Sequence, residues 1–195
     1  MTDLISLTRQ QLTPDSIDRI AGIVGADAAT TTALLAGAVP LLVGNRGTSA
    51  AGVAALIAAR QADSASMESA LALLAGLFGP KVELMARALA GATGSNISAA
   101  TRALAVTTPL LGNALTATLA AGDGPRTREA ALLLLAGNQP AAVAAMPEAL
   151  RRSIGRLPGL AGLYATSPTR DRRDFSWLAL AGLVLLAMLI ALLRG

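Results

Sequence analysis

The chain has 195 residues, of which 53% are hydrophobic and only 2% aromatic, with no Cys and no His. That supply excludes disulfides, thiol nucleophiles, thiolate zinc sites, haem ligation by His, and the Ser-His-Asp and Cys-His catalytic arrangements. The formal net charge is +4, but residues 170–195 hold four Arg and two Asp. Twelve basic and ten acidic residues remain for the rest, with no aromatics interleaved among them, which is not a nucleic-acid-binding surface.

The apolar content is mostly Ala, Leu and Val, which favours thin helices packed at close range over a sheet. The expected fold is all-α: a multi-helix array with an internal duplication, followed by a single C-terminal transmembrane helix. The body is expected over 1–157, a linker over 158–174 and the membrane helix over 175–193. The first twelve residues, MTDLISLTRQQL, carry an acid at Asp3 and lack both a basic start and a long apolar stretch, so they do not read as a signal peptide.

Thr13-Pro14-Asp15-Ser16 is a helix start: a capping hydroxyl, Pro at the first helical position and an acid in the first turn. Asp15 and Asp18 are the only close acidic pair in the body, and capping explains them. The duplication starts next. Residues 20–44 laid over residues 89–113, at an offset of 69, match at nine of 25 positions without a gap. Some matches are Ala pairs, but Gly22 with Gly91, Gly25 with Gly94, Pro40 with Pro109, and Leu41-Leu42 with Leu110-Leu111 carry more information. In each copy a short helix stops at glycine, a polar cap follows, and a longer helix runs on through a proline. The cap is Asp27 in one copy and Asn96 or Ser98 in the other. Pro40 and Pro109 each lack an N–H for the carbonyl four residues back, so a kink is expected at both. Thr107 and Thr108 stand ready to bond freed backbone groups.

Between the copies, Gly44-Asn45-Arg46-Gly47-Thr48-Ser49 offers N–H groups to an anion with Arg46 beside them. A helix C-cap followed by an N-cap accounts for the same residues, and without a Lys or a preceding strand this is not a Walker A loop. Thr48 or Ser49 caps a helix to about Gln61, Ser66 opens another through Met67, Leu71, Leu74 and Phe78, and Gly79-Pro80 breaks before Lys81–Leu89. After the second copy the chain breaks at Gly122-Asp123-Gly124-Pro125, and Thr127–Leu135 forms a helix. Asn138-Gln139-Pro140 breaks again, and Ala141 to about Ile154 forms the last helix of the body, entered or kinked near Pro147. Residues 158–174 show no clean period and read as the linker, with Leu160, Leu163 and Tyr164 available to touch the bundle or a membrane surface.

From Trp177 to Leu193 there is no charge, Pro or strongly polar side chain. Taken from Phe175, this run makes a helix of roughly 28 Å, close to the hydrocarbon thickness of a bilayer. The anchor is carried by Trp177, Leu178, Leu180, Leu183, Leu185, Leu186, Leu189, Ile190, Leu192 and Leu193, with Trp177 at the interface. Arg170, Arg172 and Arg173 precede it and only Arg194 follows, which puts the body on the cytoplasmic side and the C-terminus across the membrane. A span so near the end is that of a tail-anchored protein, expected as a single pass in the bacterial inner membrane. Arg151 to Arg173 reads as juxtamembrane charge facing anionic headgroups, or as a solvated helix end.

Residues 25–47 (GADAATTTALLAGAVPLLVGNRG), 73–83 (LLAGLFGPKVE) and 89–115 (LAGATGSNISAATRALAVTTPLLGNAL) resemble the bacterial DUF937 family, also called YidB-like. In that family an apolar helix ends in a Pro-x-Leu-Leu-Gly-Gly-like element, which Pro40-Leu41-Leu42-Val43-Gly44 resembles apart from Val43 in place of a Gly. Val106-Thr107-Thr108-Pro109 also departs from the family's more apolar, Met-containing stretch. The resemblance implies an all-helical array over about residues 1–120 with no known catalytic activity, and it supplies no functional residues.

The acids are scattered singly, so no catalytic, cofactor-binding or metal-ligating residues are expected, and the chain is not expected to be an enzyme. The expectation is a membrane-tethered helical module that presents a face to a protein partner or associates with itself, with lipid as its other partner and no nucleic acid. Binding or sensing of an apolar ligand or lipid by the helical body is the alternative.

Overall fold

A computed structural model describes residues 3–59, 66–121 and 127–164, and the described residues contain ten helices and no strand. In chain order they are α1 (Leu4–Gln10), α2 (Pro14–Val24), α3 (Ala28–Val43), α4 (Ala50–Ala59), α5 (Met67–Phe78), α6 (Lys81–Thr93), α7 (Ile97–Ala121), α8 (Arg128–Ala144), α9 (Glu148–Gly155) and α10 (Pro158–Tyr164).

The helix starts are set by short polar side chains that take up otherwise unpaired N–H groups. Thr13 accepts from Ser16 N–H, Asp27 from Thr30 N–H, Ser66 from Ser69 N–H and Thr127 from Ala130 N–H. Ser49 accepts from Gly52 N–H at 2.9 Å and Asn96 from Ala99 N–H at 2.7 Å, so Ser49 and Asn96 are the caps where two candidates stood.

The two segments matched at an offset of 69 have matching backbones at their turns. α2 ends at Gly25 (φ 76°, ψ 38°) and α6 at Gly94 (φ 71°, ψ 14°), both left-handed, where any side chain other than Gly is strained. Gly25 N–H donates to Ala21 carbonyl and Gly94 N–H to Ala90 carbonyl, while the next residue in each, Ala26 or Ser95, donates to the same acceptor. α3 and α7 both continue through their prolines, Pro40 and Pro109. Thr107 and Thr108 donate to Ala103 and Leu104 carbonyls at 2.7 and 2.9 Å, two residues and one residue before Ala105, whose carbonyl Pro109 frees, so neither bonds the freed group. Gly22 faces open space and Gly91 lies against Ser153 of α9.

α7 is the axis of the body, packed by α1, α2, α3, α4, α5, α6 and α8. Its Ala103, Leu104, Ala105 and Leu115 are fully buried. Small residues let neighbours approach closely: a Cβ at Gly52 of α4 would lie 2.5 Å from Leu77 Cα of α5, and one at Gly37 of α3 would lie 2.7 Å from Leu89 Cδ1 of α6.

Three segments differ from the sequence expectation. Asp3 caps a first helix, α1, whose Leu4 and Ile5 are buried. α8 runs on through Asn138-Gln139-Pro140 to Ala144, and a 106° bend at Pro147 then separates it from α9. The helix survives Pro140 because only the carbonyl of Ala136 loses its donor, and Ala136 is exposed, where water serves. Residues 158–164, expected as the start of a linker, form α10, which packs on α6 and α9 with Leu160 and Tyr164 buried.

Candidate functional site

The expected anchor, Trp177 to Leu193, and its flank, Arg170, Arg172 and Arg173, lie outside the described residues. Within them, one helix, α7, is long and apolar enough to cross a membrane by length and composition, and half of that stretch is buried inside the body.

Five of the acids are engaged in the first turns of helices or at their caps. Asp3 accepts from Ser6 hydroxyl at 2.6 Å and from Ile5 N–H at 3.0 Å, and the Ser6 bond leads in holding its carboxyl below the usual range. Asp27 is lowered first by Thr30 N–H and then by Thr30 hydroxyl, and Glu129 first by its own backbone N–H and then by Arg128. Glu83 pairs with Arg87, and Glu148 with Arg151 and Arg152. Among the described residues no group of three or more His, Cys, Asp or Glu could hold a metal.

The densest polar arrangement lies where the α3–α4 loop meets α6, α8 and α10. Asn45 is buried; its side-chain oxygen accepts from Gly47 N–H at 2.7 Å and its amide reaches Met85 sulfur at 3.4 Å. Thr48 hydroxyl donates to the Asn45 carbonyl at 3.0 Å, and Gln139 of α8 approaches the same oxygen at 3.5 Å. Arg46 N–H donates to Leu163 carbonyl of α10, and Ser49 N–H to Leu77 carbonyl of α5. The N–H groups of Arg46, Gly47 and Ser49 are thus spent inside the protein, which leaves few for an anion at this loop.

Tyr164 completes the joint. Its hydroxyl donates to Leu41 carbonyl at 2.7 Å, one of the last carbonyls of α3, which have no partner within their own helix. Burial pushes its pKa above the ordinary value, against a smaller opposite effect of Asn45. Asn45, Gln139 and Tyr164 were not singled out as a group in the sequence, because they are 25 to 119 residues apart and follow no local pattern.

The model of the family described as bacterial protein of unknown function (DUF937) matches residues 6–118, more than half of the chain. The chain belongs to the DUF937 family. The matched segment of this DUF937 protein starts inside α1 and ends inside α7, so α8 and α10, which complete the joint around Asn45, lie beyond it, as does α9. No curated protein and no solved structure matches this DUF937 chain.

Proposed function

We propose that this chain is a single-span membrane protein in which residues 175–193 tether a helical body that presents an interaction surface to a protein partner on the cytoplasmic side. The observation that carries it is the seventeen-residue run from Trp177 to Leu193, uninterrupted by charge or Pro, with three Arg before it and one after. The body is read as a non-enzymatic DUF937 module built on a duplication, residues 20–44 and 89–113. Paired left-handed glycines at 25 and 94 and paired helix-internal prolines at 40 and 109 support that reading. Ile23 and Ile97, each 48% exposed, and Leu133, 74% exposed, are the apolar side chains most available to a partner.

Deleting residues 170–195 tests the tether. The truncated protein is expected in the soluble fraction after high-salt washing, while the full chain stays with membranes; a truncated body that still sediments with washed membranes would falsify single-span anchoring. Proximity labelling from the intact chain tests the partner. Reproducible protein neighbours are expected, whereas none, together with co-purified lipid, would replace this reading with binding of an apolar ligand by the body.

A further inference from the structure

The charge of the described residues is polarised around α10. Arg46 reaches α10 through the bond from its N–H to Leu163 carbonyl. Lys81 Nζ and Leu163 Cδ2 both lie against Gly47, which puts Lys81 beside the same helix. On α6, Leu84 touches Gly159 of α10 and Gly91 touches Ser153 of α9. Arg87 stands three residues after the first and four before the second, on the same helical stripe, and is exposed. Arg151, Arg152 and Arg156, all exposed, come from α9 and its C-cap, immediately before α10. Six cations therefore gather at this pole against two acids, Glu83 and Glu148, each already paired to one of the six or more. The remaining described residues carry four cations against six acids, so the body is basic at the α10 pole and acidic elsewhere.

We propose that the α10 pole is a docking surface for an anionic phospholipid bilayer. This rests on the tether reading above. The chain leaves the described body from α10, and Phe175 follows Tyr164 by eleven residues, no more than about 40 Å of fully extended chain. Three more arginines, Arg170, Arg172 and Arg173, lie in that interval with two acids, Asp171 and Asp174, a surplus of one positive charge. A tether of that reach holds the body within range of headgroups, and the pole next to its origin carries the complementary sign. Each surface cation near an anionic leaflet favours docking roughly fivefold. The exposed residues of α10, Pro158, Gly159 and Gly162, are uncharged, so α10 itself adds no acid to this pole.

The absence of native Cys makes the test direct. Full-length G155C (α9) and G22C (α2, which packs on α3 and α7), at exposed sites where a Cβ meets nothing within 4 Å, are labelled with a donor fluorophore. They are reconstituted in phosphatidylcholine vesicles, with or without about 30 mol% phosphatidylglycerol, carrying a headgroup acceptor. Energy transfer is expected to be higher at 155 than at 22 only with phosphatidylglycerol, and to fall to the value at 22 in about 0.5 M salt. The ratio of docked to undocked protein is expected to fall roughly fivefold for each arginine neutralised among R87Q, R151Q and R156Q. The matching Lys variants should retain the signal, and E83Q should strengthen it. Equal transfer at the two sites, equal transfer with and without phosphatidylglycerol, or a response at 155 to added polynucleotide but not to anionic vesicles would each overturn the proposal. The tether is read separately: flotation in high salt together with no 155 signal in low salt overturns docking alone. Signal at low salt without high-salt flotation overturns the tether alone.

Discussion

Tyr164 links the fold to pH. Its phenol is buried, its proton is committed to Leu41 carbonyl, and burial holds its pKa above the ordinary value of 10.0. Above pH 10 the unfolded chain releases this proton while the folded one keeps it, so the folded state binds more protons and stability must fall as pH rises. The contribution is fully present below pH 10 and is lost above it, by up to about 1.4 kcal/mol per pH unit. Tyr164→Phe is expected to be less stable at pH 7 by about 1–3 kcal/mol, because Leu41 carbonyl loses its partner, yet to lack the tyrosine part of the alkaline decline. Denaturant unfolding of both proteins at pH 8 and pH 11 checks this; parallel declines would remove Tyr164 from the account. The sequence offered Tyr164 as able to touch the bundle or a membrane surface; its bond to Leu41 carbonyl was not legible, because Tyr164 stood in a stretch without period. Buried polar groups elsewhere were equally silent: Thr8, Thr107 and Thr108 donate to the carbonyl four residues back, while Thr31 hydroxyl, also buried, finds no partner.

α1 shows how an element can depend on a residue far along the chain. Its first N–H, at Leu4, donates to Asn138 Oδ1 at 3.1 Å across 134 residues, and Asn138 in turn donates to Leu134 carbonyl within α8. Gln11, just past the end of α1, donates to Leu110 carbonyl of α7 at 3.1 Å. Asn138→Ala is expected to cost about 1–3 kcal/mol and to raise amide exchange in α1 well before the rest of the body. Hydrogen exchange by mass spectrometry measures it, and uniform acceleration in all helices would refute a local role. Helix starts at Thr13, Asp27, Ser66 and Thr127 were legible because a capping side chain and the N–H that donates to it lie within three residues. α1 was not, because seven residues give too little periodicity and its docking group is remote. The stretch at Asn138-Pro140 misread as a break for a related reason: turn-forming residues carry their local preference, but here Asn138 is used for a tertiary bond and Pro140 sits on the wet side of the helix.

The whole body is organised around α7, which seven other helices touch. Leu104, fully buried near its middle, is expected to cost about 2–5 kcal/mol when cut to Ala. In contrast to Asn138→Ala, the loss should be global, with exchange in α3, α5 and α6 accelerating together; acceleration confined to α7 would contradict a shared core. The all-helical class was legible from composition, since Ala and Leu at this abundance with almost no aromatics build close-packed helices. The path of the last helices was not, because α8 to α10 are ordered by contacts with α3, α4 and α6. The joint at Tyr164 also has a mechanical meaning. A pull on the chain beyond residue 164 acts first on a helix whose final side chain is locked into the carbonyl end of α3, with Leu160 buried one turn behind it. Force entering at residue 164 is therefore shared with α3, and α10 cannot come away from the body without breaking the bond from Tyr164 hydroxyl to Leu41 carbonyl.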